Sequence, residues 1–162
     1  MTSKTSFNVD RAKLEVTTSR IFDAPTQLVW RVFTDPKFIP EWWGPRFLKT
    51  TVDRMEFRVG GGWRFIHEDL GETKRQYGFN GEYREIDVGK RIVSTYIFED
   101  FPKNVMIDTS VFESLPGGKT RLTQISKFPS VEALDGMVST GMEMGQTQSH
   151  DRLEELLRRQ GK

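Results

Sequence analysis

Few side chains in this sequence can do acid–base chemistry near neutral pH. There are 2 histidines, His67 and His150, and no cysteine, which excludes thiol catalysis, disulfides and thiolate metal sites. Asp108 is an acid set among apolar residues in the run Val105–Ser114. Placed together, an imidazole and that carboxyl would serve as general acid and base. Nothing in their spacing brings them together, and a packed or solvated histidine is the simpler reading. The expectation is therefore a protein that is not an enzyme, with no catalytic residue assigned. No two possible ligands sit at metal-binding spacing on one element, so neither a metal nor a cofactor is expected. Gly60-Gly61-Gly62 lacks the Lys-Ser/Thr pair and following helix of a phosphate-binding loop, and reads as a tight turn between strands.

Contact chemistry is better represented. Aromatic residues make up 12% of the chain, with 12 Phe, 4 Trp and 3 Tyr. Two adjacent indoles, Trp42 and Trp43, precede Gly44-Pro45 at a helix end. They cannot both enter one core, so one packs while the other covers a loop or lines a cavity mouth. Gly141 and Gly145 lie one helical turn apart, and each costs a helix ~1 kcal/mol relative to alanine. Either close helix–sheet approach or space for a ligand would explain them. Glu56, Arg58 and Arg64 around the glycine turn read as surface cross-strand pairing rather than an anchor for a ligand carboxylate. Arg152, Arg158, Arg159 and Lys162 offset the dipole of the last helix.

The elements that position these residues follow from periodicity. Lys13–Phe22 alternates like a strand. Pro25 at a first helical position and Asp35-Pro36 at a second start predict two short helices, the latter ending at Gly44-Pro45. Alternation then predicts strands over Leu48–Phe57, Gly62–Glu68, Arg75–Ile86, Arg91–Glu99, Val105–Ser114 and Lys119–Lys127. Their short connections favour antiparallel neighbours in a meander of about seven strands. From Ser130 onward Val131, Leu134, Val138, Met142, Leu153, Leu156 and Leu157 recur at helical spacing. An unbroken helix of about 30 residues would span ~45 Å, enough to cross a seven-stranded sheet ~30 Å wide.

Composition excludes several classes. The chain has 162 residues, 29% of them charged, and a net charge of +1. That size fits a single domain over 1–162, with about 12–158 ordered and the polar first ten residues flexible. Near-neutrality speaks against nucleic-acid binding. No apolar run approaches the ~20 residues of a membrane span, and no signal peptide is visible. A cytoplasmic location is the default expectation.

Arg20-Ile21-Phe22-Asp23-Ala24-Pro25, Val29-Trp30, Phe33-Thr34-Asp35-Pro36 and Trp42-Trp43-Gly44-Pro45 together resemble the opening of one START-like family. Glu56–Arg64 resembles its second motif, acid–apolar–Arg–Pro–Gly–Gly, with Val59 in place of proline. Gly141–Gly145 and Asp151–Leu157 resemble its C-terminal helix. The family is the activator-of-heat-shock-protein-90-ATPase-homologue-like branch of the START/polyketide-cyclase superfamily, and the resemblance covers about Leu14 to Leu157. It implies an α+β helix-grip fold, as in START domains and the birch pollen allergen: a curved antiparallel sheet wrapped on a long C-terminal helix, with two short helices after the first strand. Two departures stand out: Gln146 where the family has Trp, and His150 where a leucine is usual. Residues 142, 146 and 150 share a helical stripe, so the wall they form is more polar than in relatives.

The expected function is binding of a small hydrophobic or amphipathic molecule between sheet and helix. Its lining candidates are Trp42, Trp43, Trp63, Phe65, Tyr96, Phe98, Met106, Met142, Gln146 and His150. One alternative is a co-chaperone-like interaction module, disfavoured because the eukaryotic activator carries an additional N-terminal domain for which 162 residues leave no room. Another is a cyclase or hydrolase in the same cavity, which requires His67, His150 and Asp108 to converge. The expected assembly is a monomer or a weak dimer through a sheet edge.

Overall fold

The computed structural model describes residues 4–161. Its strands are β1 (Ser6–Asp10), β2 (Glu15–Phe22), β3 (Leu48–Met55), β4 (Gly62–Asp69), β5 (Gln76–Asp87), β6 (Arg91–Phe98), β7 (Met106–Leu115) and β8 (Lys119–Lys127). The helices are α1 (Thr26–Thr34), α2 (Ile39–Trp42), α3 (Val131–Ser139) and α4 (Met142–Gln160). All the strands join one 8-stranded sheet in the order β1-β2-β8-β7-β6-β5-β4-β3. Every neighbouring pair is antiparallel. This is the helix-grip arrangement, and no helix among the described residues is long and apolar enough to cross a membrane.

Most strand limits match the alternation to within about two residues, and three expectations need correction. The sheet has 8 strands rather than seven, because residues 6–10, expected to be flexible, form β1. Phe7 and Val9 alternate with polar neighbours and pair with Thr18 and Val16 of β2. A turn that places Leu14 at φ 58° and caps the Lys13 N–H with Asp10 makes the pairing possible. The C-terminal helix is also not continuous. Ser139 and Thr140 turn their hydroxyls back onto the carbonyls of Gly136 and Met137, and Gly141 adopts φ 93° as the N-cap of α4. Such back-bonding and a left-handed residue end one helix and start another. The helix starts differ as well: Pro25 is the N-cap of α1, and α2 begins only at Ile39, beyond a turn in which Asp35 accepts the Lys37 N–H.

The glycine run does form a hairpin turn. A Cβ on Gly61 would lie 2.1 Å from the Glu56 carbonyl oxygen. Register shifts in β3 between Val52 and Arg54, and in β5 between Tyr83 and Glu85, bend the sheet as bulges do. Gly81 serves the same bend, since a Cβ there would lie 2.0 Å from the Thr95 carbonyl oxygen.

Two apolar clusters fill the concave side. The larger joins Phe22, Val29, Val32, Ile39, Phe112 and Leu122 to Leu153, Leu156 and Leu157 of α4. The smaller joins Val16, Met106, Phe128 and Leu134, with Met142 packed against it. The second half of α4 is thus pressed onto the sheet. Its first half, Met142 to Gln148, contains no fully buried residue.

Candidate functional site

Between the two clusters the concave floor is polar. Paired residues of antiparallel strands point to the same face, so register places Ser94, Asp108 and Ser126 in one row across β6, β7 and β8. The next row carries Ser110, Gln124 and Thr18 on β7, β8 and β2. These residues sit where alternation calls for apolar side chains: Asp108 and Ser110 fall between Met106 and Phe112, and Thr18 and Arg20 between Val16 and Phe22. That signal was available in the sequence and was taken up only at Asp108.

Above this belt lies His150 of α4, 1% exposed. Arg20 Nη1 donates to Thr5 Oγ1 at 3.3 Å, Thr5 Oγ1 lies 2.9 Å from His150 Nδ1, and His150 Nε2 lies 2.8 Å from Gln124 Oε1. A guanidinium only donates, so Thr5 accepts from it and donates its own O–H to Nδ1. His150 then carries its proton on Nε2 and donates to Gln124. Burial, reinforced by Arg20, holds the His150 pKa down to about 4, so the ring is neutral at neutral pH.

Asp108 is treated very differently. Its Oδ1 is buried without a hydrogen-bond partner. Burial pushes its pKa up to about 6, against a smaller opposing contribution from a hydrogen bond with Ser126. Tyr96, one residue pair along β6, has its hydroxyl pKa driven far up by burial and then by the Asp108 charge. Each residue as a whole is nevertheless half-buried rather than fully buried. Apart from the Ser126–Asp108 and His150–Gln124 contacts, the belt side chains form no hydrogen bonds with one another among the described residues.

An aromatic wall adjoins the belt through Tyr96. Its ring lies 5.7 Å from Trp63, 5.7 Å from Phe79 and 6.4 Å from Trp43. Phe65 lies 5.0 Å from Trp43, and Phe98 stacks on Phe79 at 5.0 Å. Trp43, Trp63, Phe65, Tyr96 and Phe98 are therefore brought together. Trp42 is not among them: it stacks on Phe33 at 4.9 Å and donates its indole N–H to the Val32 carbonyl at 2.9 Å. The adjacent indoles diverge as steric reasoning requires. Met106 and Met142 belong to the smaller cluster, where Tyr96 also packs. Gln146 is half-buried, and a Cβ on neighbouring Gly145 would meet nothing within 4 Å.

His67 lies in the aromatic wall, 4.7 Å from Trp43 and 5.0 Å from Phe79. Burial lowers its pKa to about 4, partly opposed by a hydrogen bond to the Trp43 backbone. Its Nε2 has no partner and lies beside Gly44, where a Cβ would come within 2.5 Å of it. Gly44 also has φ 95°, so both space and backbone favour glycine there. His67, His150 and Asp108 share no hydrogen bond with one another; each is engaged, or left open, separately.

Other charged residues lie outside this interior. Glu56 pairs with Arg54 and Arg58, and Arg64 grips Glu99 with two bonds of 2.8 Å. Arg152 does more than offset a dipole: it donates to the carbonyls of Gly44 and Pro40 and ties the tryptophan turn to α4. A groove of about 440 Å³ runs along the outer side of α4, lined by Lys4, Thr5, Arg20, Arg46 and Asp151 among others. Ion pairs of Arg20 with Asp151 and of Arg46 with Glu155 cross it. Arg20, Thr5 and Gln124 were not foreseen as site residues, because their partners are brought to them only by tertiary contact.

Comparison with solved structures agrees with this geometry. A protein of Mycobacterium smegmatis, Ms6760, is 26% identical and superposes with a TM-score of 0.84, covering 97% of this chain and 99% of its own. An Arthrobacter aurescens protein, also 26% identical, gives a TM-score of 0.87 over 95% of this chain and 91% of its own. Protein CV1439 of Chromobacterium violaceum, 26% identical, gives 0.79 over 89% of this chain and 96% of its own. No curated protein matches the chain. The family model described as activator of Hsp90 ATPase homolog 1-like protein matches residues 23–158. On that match over most of its length, together with the helix-grip fold, this chain belongs to the activator of Hsp90 ATPase homolog 1-like family.

Proposed function

We propose that this protein binds a small amphipathic molecule between the concave sheet and the first half of α4. The observation that carries the reading is the polar belt. Polar side chains set in the middle of an otherwise apolar face, among them Asp108 with a buried Oδ1 that has no hydrogen-bond partner, are costly unless something else satisfies them. Asp108 and Tyr96 are strongly desolvated and yet only half-buried as whole residues, a combination expected of side chains bordering an internal space. The first half of α4, which has no fully buried residue, and the open space at Gly145 support the same location.

In this reading Trp43, Trp63, Phe65, Tyr96 and Phe98 supply the apolar wall, and Met106 and Met142 close one end. His150, Gln146 and the belt orient the ligand's polar part. Apolar burial at ~25 cal/mol per Å² would drive binding. Trp42 contributes only by holding the turn that aims Trp43. Exposed apolar side chains at Phe47, Leu70, Phe101, Val105 and Met144 occupy the segments around the open end of the sheet, where an apolar molecule would enter.

Backbone NMR titration with a panel of lipids and aromatic compounds tests the proposal. The expected result is saturable shifts at Tyr96, Asp108, Gln124, Gly145 and His150 for at least one compound. No shift with any compound, or shifts confined to the outer groove, would overturn it.

A further inference from the structure

Resting on that binding reading, the geometry points to the class of ligand: an organic amine bound as its ammonium ion. Its charge would pair with Asp108, and its body would lie against Trp43, Trp63, Phe79 and Tyr96.

The argument is one of unmatched charge. Two charged side chains, Arg20 and Asp108, occupy the middle rows of the concave face. Arg20 is matched twice, by Asp151 at 2.6 Å and Glu154 at 3.0 Å. Asp108 is paired with no lysine or arginine among the described residues, and its Oδ1 is buried and bonded to nothing. The histidines do not fill this role, since His150 is committed to Thr5 and Gln124 and His67 faces Gly44. The folded chain thus holds an acceptor in its interior with no donor for one oxygen.

Three kinds of ligand group could meet that oxygen. A hydroxyl would give a neutral donor. An ammonium would donate to the oxygen and also neutralise the buried charge, which a hydroxyl does not. A carboxylate would be repelled. The surroundings favour the cation further, because Tyr96, beside Asp108, belongs to a cluster of rings with Trp63 and Phe79. Ring faces attract a cation within about 6 Å. Arg20 does not compete, since its charge is taken up by Asp151 and Glu154.

The test is calorimetric titration at about pH 7.5, where Asp108 is ionised, with three probes sharing one ring system: naphthylethylamine, naphthylethanol and naphthylacetic acid. The amine is expected to bind about tenfold more tightly than the alcohol, and the acid most weakly. In Asp108→Asn the preference for the amine over the alcohol should disappear, the amine losing more affinity than the alcohol. An alcohol that binds as well as the amine overturns the inference while leaving the binding reading intact, as does an amine preference that survives Asp108→Asn. If none of the three binds, both fall. Should the Asn variant fail to fold, the order of the three probes on the unaltered protein decides alone.

Discussion

Arg20 and Asp108 are buried charges on the same face of the same sheet, and their surroundings are opposite. Arg20, its side chain 2% exposed, has an unpartnered Nε but its charge meets two carboxylates, with the Thr5 hydroxyl and the Phe22 ring beside it. Asp108 meets one serine and has an oxygen that meets nothing. A charge that serves the fold is surrounded by its complement, because desolvation otherwise outweighs what it gains. A charge left bare in the middle of a sheet is a cost that the fold itself does not need. On the binding proposal, the contrast separates a structural ion from one available to a ligand.

Breaking the matched charge should give the largest effect. Arg20→Met leaves Glu154 half-stranded and removes the guanidinium that donates to Thr5. We expect a loss of about 4 kcal/mol in urea unfolding, the partial exposure of Asp151 holding the figure within the middle of the range for buried pairs. A loss below about 1 kcal/mol, as for a surface pair, would remove the contrast.

The two histidines give the next effect. Each is buried neutral with its pKa depressed to about 4. Between that value and the ordinary 6.5 the unfolded chain takes up protons that the folded chain refuses. Stability is therefore complete above pH ~6.5 and falls as pH drops toward ~4, by about 3 kcal/mol for each histidine. Unfolding midpoints measured across that window should decline steeply, and His150→Gln should flatten the decline. A midpoint that stays level down to about pH 4 would mean that the rings are hydrated.

Asp108 works with the opposite sign. Its folded pKa is raised to about 6, so its contribution to stability is present below the ordinary carboxylate value and is lost as pH rises through ~6. Asp108→Asn should consequently stabilise the unliganded protein by about 2 kcal/mol at pH ~7.5 and by nothing near pH ~4. A variant that is less stable at neutral pH would show that Asp108 has a complement after all, and the two charges would cease to differ.

The fold was far more legible in the sequence than this contrast. Alternation located β3 through β8 closely because a one-residue slip would turn every apolar side chain to water. The break at Gly141 was hidden because the apolar spacing continues across it while the hydroxyls of Ser139 and Thr140 unwind the turn. Strand β1 was hidden because it is short and holds only Phe7 and Val9 as apolar residues. Asp108 was conspicuous as an acid among apolar neighbours. Arg20 was visible only as part of a family motif, since its acidic partners lie 131 and 134 residues away and no local pattern reports such a pairing. The residues of the aromatic wall were recognisable by type, but Trp42 and Trp43 could be told apart only by the turn that sends them in different directions.

The smallest predicted effect tests whether α4 presses on the floor above Asp108. Gly145 lies in the interior of α4 with nothing within 4 Å of where a Cβ would stand, whereas a Cβ on Gly81 would strike backbone. Gly145→Ala should therefore gain about 1 kcal/mol from helix propensity alone. Gly81→Ala should lose stability by forcing the bend open. Gly145→Leu sharpens the point, because extra methylenes in a packed core cost about 1–3 kcal/mol but in an open space cost little. A loss on Gly145→Ala would mean that the helix already touches the sheet there. The belt would then be sealed by protein, and the unmatched oxygen of Asp108 would have no room for a partner of any kind.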